Sequence, residues 1–175
     1  MQIPGLGVVT KDDGLGWYIS DEVRIEAFGG QACRVCVEGY AGDHDKDAFH
    51  EAIANLLSAD ERVLSAASPS VFAYYEDVRP YLSPSDLANL NIATPADVWS
   101  HVQFGSEVIV SRRGNGDRCV YVSIECNCDW EREHGLLIVL RGGRWITKVG
   151  PYDGHLTNSD AYGRSEYEDI VYVRI

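Results

Sequence analysis

The chain has 175 residues, of which 45% are hydrophobic and 24% charged, a composition typical of one folded domain. Twenty-seven Asp and Glu residues against fifteen Lys and Arg residues give a formal net charge of −12 at pH 7. This charge repels nucleic-acid backbones and anionic lipid surfaces, and it favours either a basic protein partner or simple solubility. No apolar run approaches the roughly 18 residues of a membrane span. The composition therefore predicts a protein that binds neither nucleic acid nor a membrane.

Residues 1–40 are predicted to form an antiparallel β meander. GVVT (7–10) and GWYIS (16–20) flank the turn-like segment KDDGLG, and EVRIEAF (22–28) alternates apolar and charged residues as a strand does. The pair Gly29-Gly30 separates this run from CRVCVE (33–38), as the turn of a hairpin would. The opening MQIPGLGVVT lacks the basic region and long apolar run of a secretory signal, so a cytoplasmic location is predicted.

Residues 43–100 are predicted to form a run of short helices. One helical stripe is apolar, with Asp43 or Asp45 placed to cap its start, and it consists of Phe49, Ala52, Ile53, Leu56 and Leu57. Further starts are predicted by the capping-box spacing of Ser58 and Glu61 and by three hydroxyl–proline pairs, Ser68-Pro69, Ser83-Pro84 and Thr94-Pro95. The aromatic residues of VFAYYEDV (71–78) are expected in the core.

Residues 101–175 are predicted to form a second meander. Its strands are VIVSRR (108–113), CVYVSIEC (119–126), GLLIVLR (135–141), RWITKVG (144–150) and the tail DIVYVRI (169–175). In the second of these strands Tyr121, Ser123 and Glu125 are expected on a partly hydrated face. The order strands, helices, strands predicts a single α+β domain over residues 1–175 with a mainly antiparallel sheet. It leaves open whether the two meanders form one sheet or two.

Neither the cysteines nor the search for common enzyme motifs indicates a metal site or a catalytic site. The odd number of five cysteines favours reduced thiols. The C-x-x-C spacing of Cys33 and Cys36 and the C-x-C spacing of Cys126 and Cys128 are compatible with zinc, but strand positions three apart face opposite sides of a sheet. We therefore expect Cys33, Cys119 and Cys126 to be buried and inert, with Cys36 facing outward. Nucleophile-elbow, P-loop and H-E-x-x-H motifs are absent, which favours a non-enzymatic protein without a cofactor.

One polar stretch, CDWEREHG (128–135), stands between two predicted strands. GLLIVLR and RWITKVG are hairpin neighbours, so the loop before the first and the loop after the second emerge at the same end of the sheet. We call the chemically active side chains of these two loops the acidic rim, which consists of Asp129, Trp130, Glu131, Glu133, His134, Tyr152, Asp153 and His155.

Three interpretations of the acidic rim remain open. In the first it is structural: Trp130 closes the core edge, Asp153 organises the PYDG turn, and Asp129 or Glu131 binds loop amides. In the second, carboxylates around exposed Trp130 and Tyr152 bind a basic protein partner. In the third, the rim is a metal-binding module or a metal-dependent hydrolase whose ligands are Glu131, Glu133, His134, Asp153 and His155, or a buried Glu with a raised pKa acts as an acid–base group. Metal binding needs at least three of these side chains to converge, whereas partner binding needs them splayed and exposed. A separate alternative places the functional surface on the helices of residues 80–94.

At these residues the sequence resembles a known family. TPADVWSHVQF (94–104) and VYVSIECNCDWEREHGLLIVLRGGRWITKVGPYDGHLTN (120–158) are similar to a bacterial family of domains of unknown function with a C-D-W-E-x-E-H-G-L stretch and a V-G-x-x-D-G turn. The matched positions are Cys128, Asp129, Trp130, Glu131, Glu133, His134, Gly135, Gly150, Asp153 and Gly154. The resemblance implies a small intracellular protein of toxin and immunity gene neighbourhoods and assigns no catalytic residue. Together with the acidity it predicts a protein-binding domain, an immunity or accessory protein for a basic partner.

Overall fold

The two predicted meanders join in one sheet. In a computed structural model, which describes residues 1–174, the first meander contains β1 (Gln2–Ile3), β2 (Gly7–Lys11), β3 (Tyr18–Ser20), β4 (Val23–Ile25) and β5 (Gln31–Val37). The second contains β6 (Val102–Arg112), β7 (Val120–Cys128), β8 (Glu131–Arg141) and β9 (Trp145–Gly150). The strand order is β1-β2-β3-β5-β6-β7-β8-β9, with β4 also paired to β5. The pairing of β5 with β6 is parallel and the other described pairs are antiparallel, which confirms the α+β prediction.

Helices fill the connection between β5 and β6. They are α1 (Lys46–Ser58), α2 (Glu61–Val78) and α3 (Pro84–Asn89). α1 begins at Asp45, whose carboxylate accepts a hydrogen bond from the Ala48 amide at 3.3 Å. α3 begins at Ser83, as predicted, with the hydroxyl accepting from the Asp86 amide at 3.1 Å. A connection of this length is what a parallel pair of strands requires.

Three predicted helix starts are wrong. Ser58 is the last residue of α1, and Asp60 caps α2. Pro69 lies inside α2, and the Ser68 hydroxyl accepts a hydrogen bond from the indole of Trp99 at 2.8 Å instead of capping a helix. Near Thr94 the carboxylate of Asp97 accepts from the amides of residues 93 and 94, and a short 3-10 helix covers residues 97–101.

The main core lies between the helices and the inner face of the sheet. The apolar stripe of α1 is fully buried at Phe49, Ala52, Ile53 and Leu56, as its helical spacing predicts. Tyr74 and Tyr75 of α2 are also buried, which confirms VFAYYEDV as a core segment. No helix within residues 1–174 is long and apolar enough to cross a membrane.

The outer face of the sheet is covered over β7–β9 by the segment 151–168, which includes α4 (Asn158–Tyr162). Tyr121, Leu137 and Val139 form a second, smaller core there against Leu156. The expectation of a partly hydrated face is therefore wrong at Tyr121, which is 1% exposed. The expectation fails because the mostly polar segment 151–168 covers this face. The alternation of residues within a strand does not indicate which other segment packs on the strand.

The predicted last strand is also wrong. Residues 169–174 form no strand, and Ile175 lies outside the described residues. The tail instead runs past β9 towards α2. The Val149 amide donates to the carbonyl of Val171 at 2.7 Å, and the Tyr172 hydroxyl donates to Asp77 at 3.0 Å.

Candidate functional site

Two β-bulges shape the end of the sheet that carries the acidic rim. The register shifts between Phe104 and Val108 in the β6–β7 pair, and between Cys126 and Cys128 in the β7–β8 pair. Gly135 lies within the second bulge with φ +63°, and a Cβ there would lie 2.4 Å from the Cys126 carbonyl oxygen. Only glycine fits this position. The bulges splay the strand ends and open a cleft between them.

This cleft, which we call the rim cleft, has a volume of about 290 Å³. Its polar lining includes Glu125, Arg132, Glu133, His134 and Tyr152. The last four of these side chains belong to exposed residues, and Tyr152 is 44% exposed. The Tyr152 amide donates to the carbonyl of His134 at 3.2 Å, so the two loops of the acidic rim meet, in keeping with the hairpin argument. Burial and the neighbouring Glu125 carboxylate raise the pKa of the Tyr152 phenol.

Glu131 holds together the first loop of the rim, whose residues 131–134 form the bulged start of β8 in the structure. Its carboxylate accepts hydrogen bonds from the amides of Glu133 at 2.9 Å and His134 at 2.7 Å, and from the Tyr74 hydroxyl at 3.4 Å. The His134 ring nitrogen Nδ1 lies 3.2 Å from the same carboxylate. Glu131 is therefore bound within the protein, whereas Glu133 and His134 point their side chains to solvent at the cleft.

Trp130 belongs to the core. It is 2% exposed and packs edge-on against Tyr74 and Tyr75, with ring centroids 6.3 and 6.0 Å away. Its indole nitrogen has no hydrogen-bond partner within residues 1–174. The expectation that Trp130 offers an exposed aromatic surface is wrong, because the turn after β7 directs the ring towards α2. Tyr152 is the exposed aromatic residue of the acidic rim.

The remaining rim carboxylates pair with residues that the sequence did not connect to them. Asp129 lies 3.0 Å from the ring of His101, and its amide donates to the His101 carbonyl at 3.1 Å. Asp153 accepts from Lys148, an ammonium group that is 2% exposed and whose pKa is lowered by burial. The His155 ring is 3.6 Å from Asp153. The charged residue Lys148 inside β9 is the feature of the sequence that indicates a buried ion pair. The alternation of apolar and polar residues along the strand does not identify its partner.

The five residues of the metal alternative are not brought together. Glu131 with His134 and Asp153 with His155 form two separate pairs. In the part of the chain that the structure describes, no group of three or more His, Cys, Asp or Glu side chains is arranged to hold a metal ion. The cysteines of the described residues form no such group either: Cys33, Cys36, Cys126 and Cys128 are buried, and Cys119, expected in the core, is exposed. Cys36 lies on the opposite face from Cys33, but it is covered, and burial raises its pKa to about 11.

Comparison with known proteins gives one result. The sequence profile of the family "Domain of unknown function (DUF6985)" matches residues 5–156. The chain belongs to this family. The resemblance to a domain of unknown function is thereby confirmed, and the DUF6985 match contains the whole acidic rim. No curated protein and no solved structure matches the chain.

Removing the Glu131 carboxylate is expected to destabilise the DUF6985 domain. We expect Glu131→Ala to lower the free energy of unfolding by about 2 kcal/mol, because two amides of the rim loop lose a charged acceptor. Glu133→Ala, two residues away but exposed, is the matched control and should change it by less than about 0.5 kcal/mol. Urea unfolding of both variants measures the difference. Equal effects would show that the Glu131 carboxylate does not hold the loop.

Proposed function

We propose that this DUF6985 domain is a non-enzymatic, cytoplasmic protein-binding domain that serves as an immunity or accessory protein for a basic partner. The observation that carries the proposal is the rim cleft. Glu125 and Glu133 line it, and neither carboxylate makes an ion pair with any residue from 1 to 174. A lysine or arginine side chain of a partner would be bound there by charge-assisted hydrogen bonds.

The aromatic neighbour of the carboxylates supports a protein ligand. Tyr152 borders the rim cleft and is 44% exposed, and tyrosine beside charged groups is enriched where binding energy concentrates in protein interfaces. Arg132 also lines the cleft, and its exposed side chain is free to turn towards solvent when a cation enters. The partner side chain would then be held between a ring and two carboxylates.

The rest of the outer face extends the acidic surface. The segment 151–168 leaves the N-terminal strands uncovered, and a cleft of about 400 Å³ opens there. Its lining includes three carboxylates, Asp12, Asp21 and Glu22, against two cations, Lys11 and Arg34. Exposed Val8, at 71%, adds apolar area on the same strands. An acidic surface of this kind speeds association with a basic protein and disfavours acidic competitors.

Two double variants of equal charge test the proposal. The rim variant carries Glu125→Gln and Glu133→Gln, and the control carries Glu61→Gln and Glu166→Gln, two exposed carboxylates elsewhere. Each variant is used as bait in a lysate of the source organism, and the captured protein is purified for calorimetry. We expect a basic protein that binds the wild type and the control alike and the rim variant about tenfold more weakly, because two charge-assisted contacts are lost. Binding should also weaken as salt is added.

The proposal fails if the captured partner binds the rim variant as tightly as the wild type, if the partner is acidic, or if no protein is captured.

The metal-dependent alternative has no specific observation in its favour, because its ligands form separate pairs. The helical alternative at residues 80–94 contains exposed Tyr81 at 88%, but no charged cleft accompanies it that matches the acidity of the rim.

A further inference from the structure

A second polar cleft lies at the opposite end of the sheet from the acidic rim. It has a volume of about 390 Å³ and is lined by four arginines, Arg112, Arg118, Arg141 and Arg144, together with Cys119 and Trp145. We call it the Arg cleft. The chain has only fifteen Lys and Arg residues, so four of them in one cleft is a marked local concentration in a protein of net charge −12.

Rigid elements position these side chains. The turn between β6 and β7 carries Arg118, which adopts φ +53° and donates its amide to the Asn115 carbonyl at 3.3 Å. The β8–β9 hairpin carries Arg144 and Trp145, and it is docked on α1 because the Asn55 side chain donates to the Gly142 carbonyl at 2.7 Å. The cleft is therefore built between a turn, a hairpin and a helix that are fixed to one another.

Not all of the guanidinium groups are used within the protein. Arg112 is fully engaged, with Asp43 at 2.6 Å and the Arg118 carbonyl at 2.7 Å. Arg141 is only loosely paired, 3.6 Å from Asp117, and is 44% exposed. Arg118 is exposed and makes no ion pair in the described part of the chain. Arg144 forms an ion pair with Glu51. Asp43, Asp45, Glu51 and Asp117 together balance the four guanidinium charges, so Arg118 and Arg141 are the two groups left to hold an added anion.

An exposed indole accompanies this charge. Trp145 is 63% exposed, whereas the other three tryptophans of the chain are half-buried or buried. Its flat apolar ring offers a stacking surface in the same cleft as the guanidinium groups of Arg118, which has no ion pair in the described part of the chain, and Arg141, which is loosely paired. An aromatic group that carries a phosphate has the complementary chemistry. A cleft of about 390 Å³ is of the size that binds a small molecule.

We propose that the Arg cleft binds a mononucleotide, with the base stacked on Trp145 and the phosphate held by Arg118 and Arg141. A long nucleic acid does not suit the surrounding protein, because its phosphates outside the cleft would meet the net negative charge. Five donors on each guanidinium group allow a bidentate contact with phosphate oxygens. The inference does not rest on the protein-binding role of the rim, which lies at the other end of the strands.

Adenosine monophosphate is the probe for the test, with adenosine and inorganic phosphate as separate arms. Calorimetry at low salt should show saturable binding of adenosine monophosphate, about tenfold tighter than binding of either part, because stacking and phosphate contacts act together. Arg118→Ala and Trp145→Ala should each weaken it about tenfold. Arg164→Ala removes an exposed arginine far along the chain and should leave it unchanged.

Alkylation of Cys119 tests binding by a second method that is independent of calorimetry. It is the one exposed cysteine of the five and lines the Arg cleft. Alkylation of Cys119 by iodoacetamide should slow as adenosine monophosphate is added, and it should not slow in Arg118→Ala at the same concentration. The proposal is overturned if adenosine monophosphate does not bind at about 1 mM, if phosphate alone binds as well, or if Arg118→Ala and Trp145→Ala bind like the wild type.

Discussion

Replacing Arg113 with methionine is expected to lower the free energy of unfolding by about 3 kcal/mol, because it leaves two partly buried carboxylates without their cation. Arg113 is 4% exposed at the end of β6. Its guanidinium group donates to Asp160 at 2.7 Å and to Ser159 at 3.0 Å, and it also forms an ion pair with Glu168. These three partners belong to the segment that covers the outer face of the sheet.

A matched control exists at the end of β8, two strands away in the sheet. Arg141 also reaches a carboxylate, Asp117 at 3.6 Å, but it is 44% exposed. Arg141→Met should therefore cost less than about 1 kcal/mol, as exposed ion pairs do. Guanidinium unfolding at pH 7 compares the two variants. If Arg113→Met is no more destabilising than Arg141→Met, the guanidinium group does not fasten the C-terminal segment.

The same residue predicts an acid dependence. The Arg113 guanidinium holds the pKa of Asp160 and of Glu168 below their ordinary values. A carboxyl group whose pKa is lower in the folded state contributes stability above its unfolded pKa, and that stability is lost as the pH falls through the folded value. The wild type should therefore lose stability below about pH 4. Arg113→Met should lose less over that range, and unfolding curves between neutral and acid pH measure the difference.

The second large effect is expected at the tip of the β8–β9 hairpin. Gly143 has φ +71°, and a Cβ there would lie 2.1 Å from the carbonyl oxygen of Ala52 in α1. We expect Gly143→Ala to lower the free energy of unfolding by about 3 kcal/mol or more, since it adds backbone strain to a clash with a helix backbone that cannot move freely.

Substitution of Gly142 distinguishes the effect of backbone strain from the effect of the clash with α1. It also has a positive φ, +59°, but a Cβ there meets nothing within 4 Å. Gly142→Ala carries the strain without the clash and should cost about 1 kcal/mol. Thermal and chemical unfolding of both variants measure the gap between them. Equal losses would contradict a close packing of the hairpin on α1.

Alternation and helical spacing predicted much of the fold because they are local. The strands of the second meander and the buried stripe of α1 follow directly from the apolar periods of 2 and 3.6 residues. The joining of the two meanders was not predictable, because it depends on β5 pairing with β6 across the whole helical segment. The pair Ser68-Pro69 resembles a helix start, but it lies inside α2, where the Ser68 hydroxyl contacts Trp99 from a distant part of the chain.

The candidate site was predictable in position and not in detail. The hairpin argument placed the loops of His134 and Tyr152 together, and a backbone hydrogen bond now joins them. The direction of Trp130 and the pairing of Asp153 with Lys148 depend on which element covers each face of the sheet. The Arg cleft was missed because its arginines come from a turn and a hairpin that are separated along the chain, with no motif to connect them.

The parallel pairing of β5 with β6 has a kinetic consequence. Arg34 lies opposite Glu107 in this pair, so the contact closes a loop that contains α1, α2 and α3. Such long-range contacts gain nothing until the entropy of the intervening chain has been lost, which slows folding. Hairpins and helices form early on their own timescale, but the core between them is complete only when this pair closes. The pairing of β5 with β6 is thus the step at which two separate meanders become one cooperative structure.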